Sequence, residues 1–417
     1  MEKRHTFNER FDWTLCLILF VFFLISCFSI ASAQTTGQYN FNFVIKQIQW
    51  YAICSFIIAI IMYFDSEQIY RLTWFLYGIG ILLLVALAVL PGSTAEGAFV
   101  PIRNGAKSWF QIPGAGLIQP SEFMKILLIL SLSKMAVLHN QHTEVRTTKS
   151  DLLLFSKLGL LTLVPLAFIV KQPDLGTSLV ILAIFLGISL ASGVSWKIIA
   201  PIVAFGVTLI GIIIYLALFM REVLELFLDT YQIKRIYSWL QPELYSGKDS
   251  FQLEQSLNAI GSGMITGKGY GERNVYVPEL HTDFIFSVIG EEWGFIGASL
   301  VIGLFFILIF HLTKVALLAA DPYISYICAG VITMITFHVF QNIGMTIQVL
   351  PITGIPLPFI SYGGSSLLGN MIAMGIIFSI QFHSKSYMFS SQNAPAEQIS
   401  LTSRSDKKKK RRSWTAL

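Results

Sequence analysis

Charge is what this sequence has least of. Only 13% of its 417 residues are charged, against 54% hydrophobic, and the mean hydropathy is +0.66. A soluble chain would carry about 25% charged residues, so a water-soluble globular fold is excluded. Cysteine is scarce too. The four cysteines, Cys16, Cys27, Cys54 and Cys328, all fall in apolar runs, without a Cys-x-x-Cys pair or a Cys/His cluster. That pattern argues against disulfides and against a structural metal. No GxxxxGK[ST] spacing is present, so ATP-driven chemistry is not expected. No sizeable polar domain stands apart from the apolar runs, and nucleic-acid binding is not expected either.

What is abundant is apolar sequence in runs near 20 residues, the length that crosses a hydrocarbon core. Ten such runs lie near residues 12–33, 44–64, 70–90, 119–138, 152–170, 174–192, 196–220, 282–311, 323–349 and 361–382. They predict an all-α polytopic membrane protein with ten transmembrane helices. The first run ends in "ASAQ", which imitates a signal-peptide cleavage site, but its length favours an uncleaved span. Ten spans put both termini on one side. The basic residues choose the cytoplasm, because Lys3, Arg4, Arg10, Arg71, Arg146 and Lys314 all fall on the side of the termini. The expected organisation is a cytoplasmic tail (1–11), a membrane domain (12–382) with a large outer loop (221–280), and a basic, disordered cytoplasmic tail (383–417). Six consecutive basic residues, Lys407 to Arg412, fix topology and suit anionic membrane lipids.

Intramembrane charges and irregular backbone then mark candidate sites. Glu122 and Lys125 are three apart on one helix face, either an internal ion pair or the lining of a polar cavity that opens outward. Asp174, in "KQPDLGTS", either caps the following helix or belongs to the outer surface of that cavity. Three prolines, Pro351, Pro356 and Pro358, and a Gly-Gly pair in "PITGIPLPFISYGGSS" preclude a straight helix, and broken backbone at membrane depth lines a cavity or lies buried. Ser361 and Ser365 there present uncharged donors suited to a sugar or a pyrophosphate. The stretch "LHTDFIFSVIGEEWGF" carries His281, Asp283, Glu291 and Glu292. Asp283 stands at the outer boundary of the eighth span, either as a helix cap or facing a lipid-linked headgroup. Glu291, eight residues on, is expected roughly 12 Å deeper at 1.5 Å per residue, and with Glu292 to be structural. The outer loop is glycine-dense between Gly261 and Gly271, so it is either held by backbone contacts or mobile.

Six motifs in order along nearly the whole chain resemble the SEDS family (shape, elongation, division and sporulation). They are "GAKSW", "QPSEFMK", "QPDLGTS", "AIGSGMITGKG", "PELHTDFIFSVIGEEWG" and "NIGMTIQVLPITGIPLPFISYGGSS". The wording of the third and fifth looks closer to the elongation branch, RodA, than to the division branch, FtsW; the sporulation branch, SpoVE, is a close relative, and the division or sporulation paralogue is the alternative. The resemblance implies a peptidoglycan glycosyltransferase that polymerises lipid II into glycan strands at the outer membrane face, in cell-wall elongation. It implies Asp283 as the essential carboxylate, here read as the general base of an inverting transfer. Glu122, Lys125 and Asp174 match its other functional positions. Lys125, Arg103 and Lys107 are expected to neutralise the departing pyrophosphate, with a divalent cation (Mg or Mn) as a candidate aid and no nucleotide or organic cofactor. The implied partners are a class B penicillin-binding protein, which supplies the transpeptidase, and other elongation-complex membrane proteins. Two positions depart from the family pattern. Ser108 stands where members often have Arg, leaving Lys107 as the candidate substitute, and Gln348 stands where many have Gly. A lipid II flippase or transporter is the rival reading, and a non-catalytic scaffold leaves Asp283 without a task.

Overall fold

The computed structural model describes residues 7–34, 42–95, 97–102, 106–112, 116–143, 145–227, 230–242 and 247–387. Arg103 and the basic run Lys407 to Arg412 lie outside the described residues. The elements, in chain order, begin with a short helix α1 (Phe7–Arg10), then α2 (Trp13–Gln34), α3 (Phe43–Ile61) and α4 (Ser66–Val89). A two-stranded antiparallel hairpin, β1 (Phe110–Ile112) and β2 (Gly116–Ile118), leads into α5 (Pro120–Gln141). Next come α6 (Thr148–Lys171), α7 (Leu175–Ala191) and α8 (Trp196–Phe219). The outer segment holds α9 (Arg221–Phe227), α10 (Thr230–Leu240) and α11 (Lys248–Ser262). The chain closes with α12 (Ile285–Leu318), α13 (Pro322–Thr346) and α14 (Gly364–Tyr387).

Ten of these helices take the ten expected spans, and eight are long and apolar enough to cross a membrane by themselves. The other two are α7, with 17 residues, and α5, which carries Glu122, Lys125 and Lys134. α7 is apolar but short, whereas α5 need not be apolar throughout, because it is enclosed by other helices. α5 packs against α4, α6, α7, α13 and α14, and most of its side chains are buried, charged ones included. Small residues allow close approach in this centre: Gly330 of α13 meets Ile129 of α5 and Ile188 of α7, and Gly187 meets Thr333. α8 is the opposite case. Only Ile199 and Ala217 of its side chains are buried, so nearly its whole circumference is apolar surface of the kind lipid solvates.

The eighth span is not a continuous helix. At Gly294 the backbone takes φ 59° and ψ −157°, so Ile285–Trp293 forms a separate short helix and the crossing begins at Phe295. α2 gives the scale. Asp12, at its inner end, is 2.6 Å from His311 Nε2, and Ser32, near its outer end, donates to Glu292. Nineteen residues separate 292 from 311, about 28 Å at 1.5 Å per residue, close to one hydrocarbon thickness. Glu292 therefore lies at the outer end of α2, level with the membrane surface. The expectation that Glu291 and Glu292 sit deeper than Asp283 fails, because it assumed one straight helix through Gly294.

Candidate active site

The outer lip is built on the irregular segment 347–363 between α13 and α14, as the prolines require. Its carbonyls cannot find helical partners, and side chains from neighbouring spans supply donors instead. Ser26 Oγ donates to Ile360 O at 2.8 Å, Gln341 Nε2 to Pro351 O at 2.9 Å and Asn342 Nδ2 to Ile355 O at 2.7 Å. The same Asn342 amide donates to Asp283 O at 2.8 Å, and Tyr362 N donates to His281 O at 2.8 Å. The strap and the loop entering α12 are thereby fixed to each other, with Asp283 between them. The His281 ring stacks on Phe43, centroids 4.3 Å apart, and burial lowers its pKa below the ordinary imidazole value despite the nearby Glu279. It serves as packing for the lip.

Asp283 is not a helix cap. The cap position of α12 is Phe284, and no side chain caps the helix. Among the described residues the Asp283 carboxylate accepts no hydrogen bond, although the residue is half-buried. Desolvation and the Glu279 carboxylate push its pKa up to about 6, against the opposing pull of the Arg235 guanidinium. Burial thus outweighs any lowering by the helix terminus, and the group titrates where a base working near neutrality is useful.

Glu291 and Glu292 have the contrary environment. Glu291 Oε1 accepts from Lys268 Nζ at 2.6 Å, Asn274 N at 2.9 Å and Val275 N at 3.2 Å. Glu292 Oε1 is 3.0 Å from Arg273 Nε, both side chains almost fully buried. These pairs pin the glycine-dense loop. Its backbone also docks directly on the broken helix, with Lys268 N on Glu291 O and Gly269 N on Glu292 O, both at 3.0 Å, and Phe295 N on Met264 O at 2.9 Å. A Cβ on Gly263 or Gly267 would collide with the backbone of Gly290 or Glu292. Of the two sequence alternatives for this loop, backbone contact is the one observed.

The remaining expected site residues lie on the helices around the lip. Lys125 Nζ donates to Glu122 Oε2 at 2.8 Å and lies 3.1 Å from His338 Nε2, all three buried. An ammonium has no acceptor, so His338 Nε2 must accept. Asp174 caps α7 and ties it to the hairpin exit, accepting from Thr177 N at 3.0 Å, Thr177 Oγ1 at 2.7 Å and Gln119 Nε2 at 2.8 Å. Ser365 Oγ takes the Gln119 amide at 3.1 Å and donates to Leu117 O at 3.0 Å. Ser361 Oγ accepts from Leu357 N at 2.8 Å within the strap. The structure therefore joins Asp174 to Ser365 through Gln119. It joins the strap to α7 where Gly176 meets Thr353 and Ile355. Lys107 lies apart, its ammonium on the carbonyls of Ala88 and Leu90 at the end of α4.

Three polar neighbours of the expected site residues escaped the sequence reading. His338 and Asn342 look like ordinary polar interruptions of an apolar run, and only their i, i+4 spacing on one helix face hinted at a shared role. Arg235 was hidden in a polar loop where a cation draws no notice. Among the described residues, no three His, Cys, Asp or Glu side chains come together to hold a metal ion.

The comparisons with known proteins agree with one another. The family model for the cell cycle proteins FtsW, RodA and SpoVE matches residues 9–386. The stage V sporulation protein E of Bacillus subtilis is 33% identical over 389 residues, covering 92% of this chain and 100% of that protein. The peptidoglycan glycosyltransferase RodA of Treponema pallidum is 31% identical, covering 89% of this chain and 97% of its own. In a peptidoglycan synthase complex that coordinates polymerization and crosslinking, one chain has this fold, with a TM-score of 0.70 at 24% identity over 89% of this chain and 97% of that one.

Proposed function

The chain belongs to the FtsW/RodA/SpoVE (SEDS) family of multi-pass membrane proteins, and from that premise we propose that it is a peptidoglycan glycosyltransferase polymerising lipid II at the outer face of the cytoplasmic membrane. The observation that carries the reading is Asp283. A carboxylate with no hydrogen-bond donor among the described residues, half-buried at the outer lip and with its pKa pushed up to about 6, is a poor structural element and a suitable base. In the proposed step Asp283 takes the proton of the acceptor sugar's 4-hydroxyl. That oxygen forms the new bond to C1 of the donor sugar as the C1–O bond to pyrophosphate breaks. Undecaprenyl pyrophosphate leaves with the electron pair and the anomeric centre inverts. This is the logic of an inverting glycosidase with a sugar hydroxyl in place of water.

Lys125 and Arg103 are the proposed counter-charges for the leaving group, and Lys107, which lies apart on the carbonyls that end α4, would join them only by releasing those carbonyls. A divalent cation would enter with the substrate's phosphates, since such ions commonly use few protein ligands there. Glu122, Asp174, Ser361 and Ser365 are proposed to shape the polar floor, each held in place by the internal bonds described above. The wording of "QPDLGTS" and "HTDFIFSVIGEE" supports the elongation role. Relatives of the sporulation and elongation branches, at 33% and 31% identity, leave that assignment to experiment. A class B penicillin-binding protein is the proposed partner.

Purified protein supplied with lipid II tests the activity. Glycan strands on a gel, with no lipid II crossing vesicle membranes in their absence, are expected. Scrambling of lipid II across the bilayer without polymer would replace the enzyme reading with the flippase.

A further inference from the structure

Gln348, where the strap leaves α13, has φ +63°. A side chain in left-handed backbone is held there by its surroundings or not at all. What holds it is the outer helix α10. Gln348 Nε2 donates to Trp239 O at 3.0 Å, and Trp239 Nε1 donates to Gln348 O at 3.0 Å. One turn earlier on α10, on the same face, Arg235 Nη1 donates to Thr353 O at 3.4 Å. The next strap residue, Gly354, is where Asp283 arrives: a Cβ there would stand 3.4 Å from Asp283 Oδ2. α10 is thus fastened to the strap at 348 and again at 353, which sets the guanidinium beside the carboxylate. We propose that Gln348 and Trp239 form a latch docking α10 on the strap, and that Arg235, so docked, is a positioning residue that keeps Asp283 in its ionised form.

The proposal rests on Asp283 being the base. Among the described residues, the charged groups that face Asp283 are Glu279 of its own loop and Arg235 of α10. α13 contributes the neutral Asn342 amide, and the strap contributes Thr353 and Gly354. Burial and Glu279 favour the neutral acid, which cannot accept a proton, and Arg235 opposes both. In an inverting displacement the base and the leaving group lie on opposite faces of the reacting sugar. A guanidinium on the base's side therefore serves the base, whereas the pyrophosphate departs on the other side.

Gln348→Gly is the informative variant. Glycine accepts the positive φ without strain and keeps the carbonyl that takes the Trp239 indole, but removes the side-chain amide. Two readouts on the full-length protein are needed: hydrogen–deuterium exchange of residues 230–240, and the pH profile of lipid II polymerisation. Exchange in 230–240 is expected to rise about tenfold, a local opening rather than global unfolding. Polymerisation should fall about tenfold near pH 6 and less than about threefold near pH 8.5, as the acid limb moves upward. Arg235→Gln should shift the limb the same way while loosening α10 less than Gln348→Gly does, because the latch at 348 remains. Arg235→Lys should restore part of the shift, and adding Gln348→Gly to Arg235→Gln should cost nothing more near pH 6. Trp239→Phe, which removes one bond of the latch and fills the same space, should give an intermediate effect.

Native-like exchange and an unmoved acid limb in Gln348→Gly would overturn the latch. An unmoved limb in Arg235→Gln would overturn the role of the arginine. Absence of polymer from the native protein would instead remove the activity assignment, and the exchange measurement would still decide whether the latch exists.

Discussion

Asp283 and Glu292 are nine positions apart in one stretch of sequence, both at the outer membrane surface, and their surroundings differ in kind. Glu292 is closed in by Arg273 and Ser32, and its neighbour Glu291 by Lys268 and two backbone amides. Asp283 accepts no hydrogen bond among the described residues, and its pKa stands at about 6. The difference separates a carboxylate whose bonds hold the fold together from one held ready by the fold. A buried charge without donors is costly to maintain, and that cost has a reason when the group must take up a proton.

The comparison can be broken first on its structural side. Arg273→Ala leaves a buried Glu292 without its cation, and loss of one partner of such a pair costs about 3–5 kcal/mol. A thermal melt should show a large drop in stability, with the glycine-dense loop opening to protease. Asp283→Asn, by contrast, removes a poorly solvated charge, and its melting temperature should match or exceed that of the native protein. Equal destabilisation by the two changes would erase the distinction. A smaller effect is expected at Asp174, which does the work of a cap. Asp174→Ala should cost about 1 kcal/mol, with an added loss from the Gln119 contact, readable as a modest fall in the melting temperature.

Much of this was legible in the residues. Ten apolar runs, the proline-broken segment and the position of Asp283 at an outer boundary all follow from composition and periodicity, and the motif order pointed to the family. The break at Gly294 was not legible. A single glycine in an apolar helix is usually tolerated, and its conversion to a turn depends on the backbone of Gly267 packing against it, a contact between segments 27 residues apart. The depth assigned to Glu291 and Glu292 failed for that one reason. Their structural role was anticipated, but their partners Lys268 and Arg273 were not. Arg235 drew no notice in the sequence, and Gln348 was read only as a departure from the family pattern. Their meaning lies in a helix-to-strap contact across more than 100 residues, which no local pattern reveals.

The central claim is that Asp283 is the general base, and its most direct test is the pH dependence of lipid II polymerisation by native protein and Asp283→Asn. A carboxylate base is active when ionised, so native activity should rise with pH through a limb near about 6, in keeping with its raised pKa. A general base contributes about 10²–10⁴-fold, so Asp283→Asn should lose that factor and the limb together while remaining folded. Polymerisation by Asp283→Asn at near-native rate, with the same acid limb, would contradict the account.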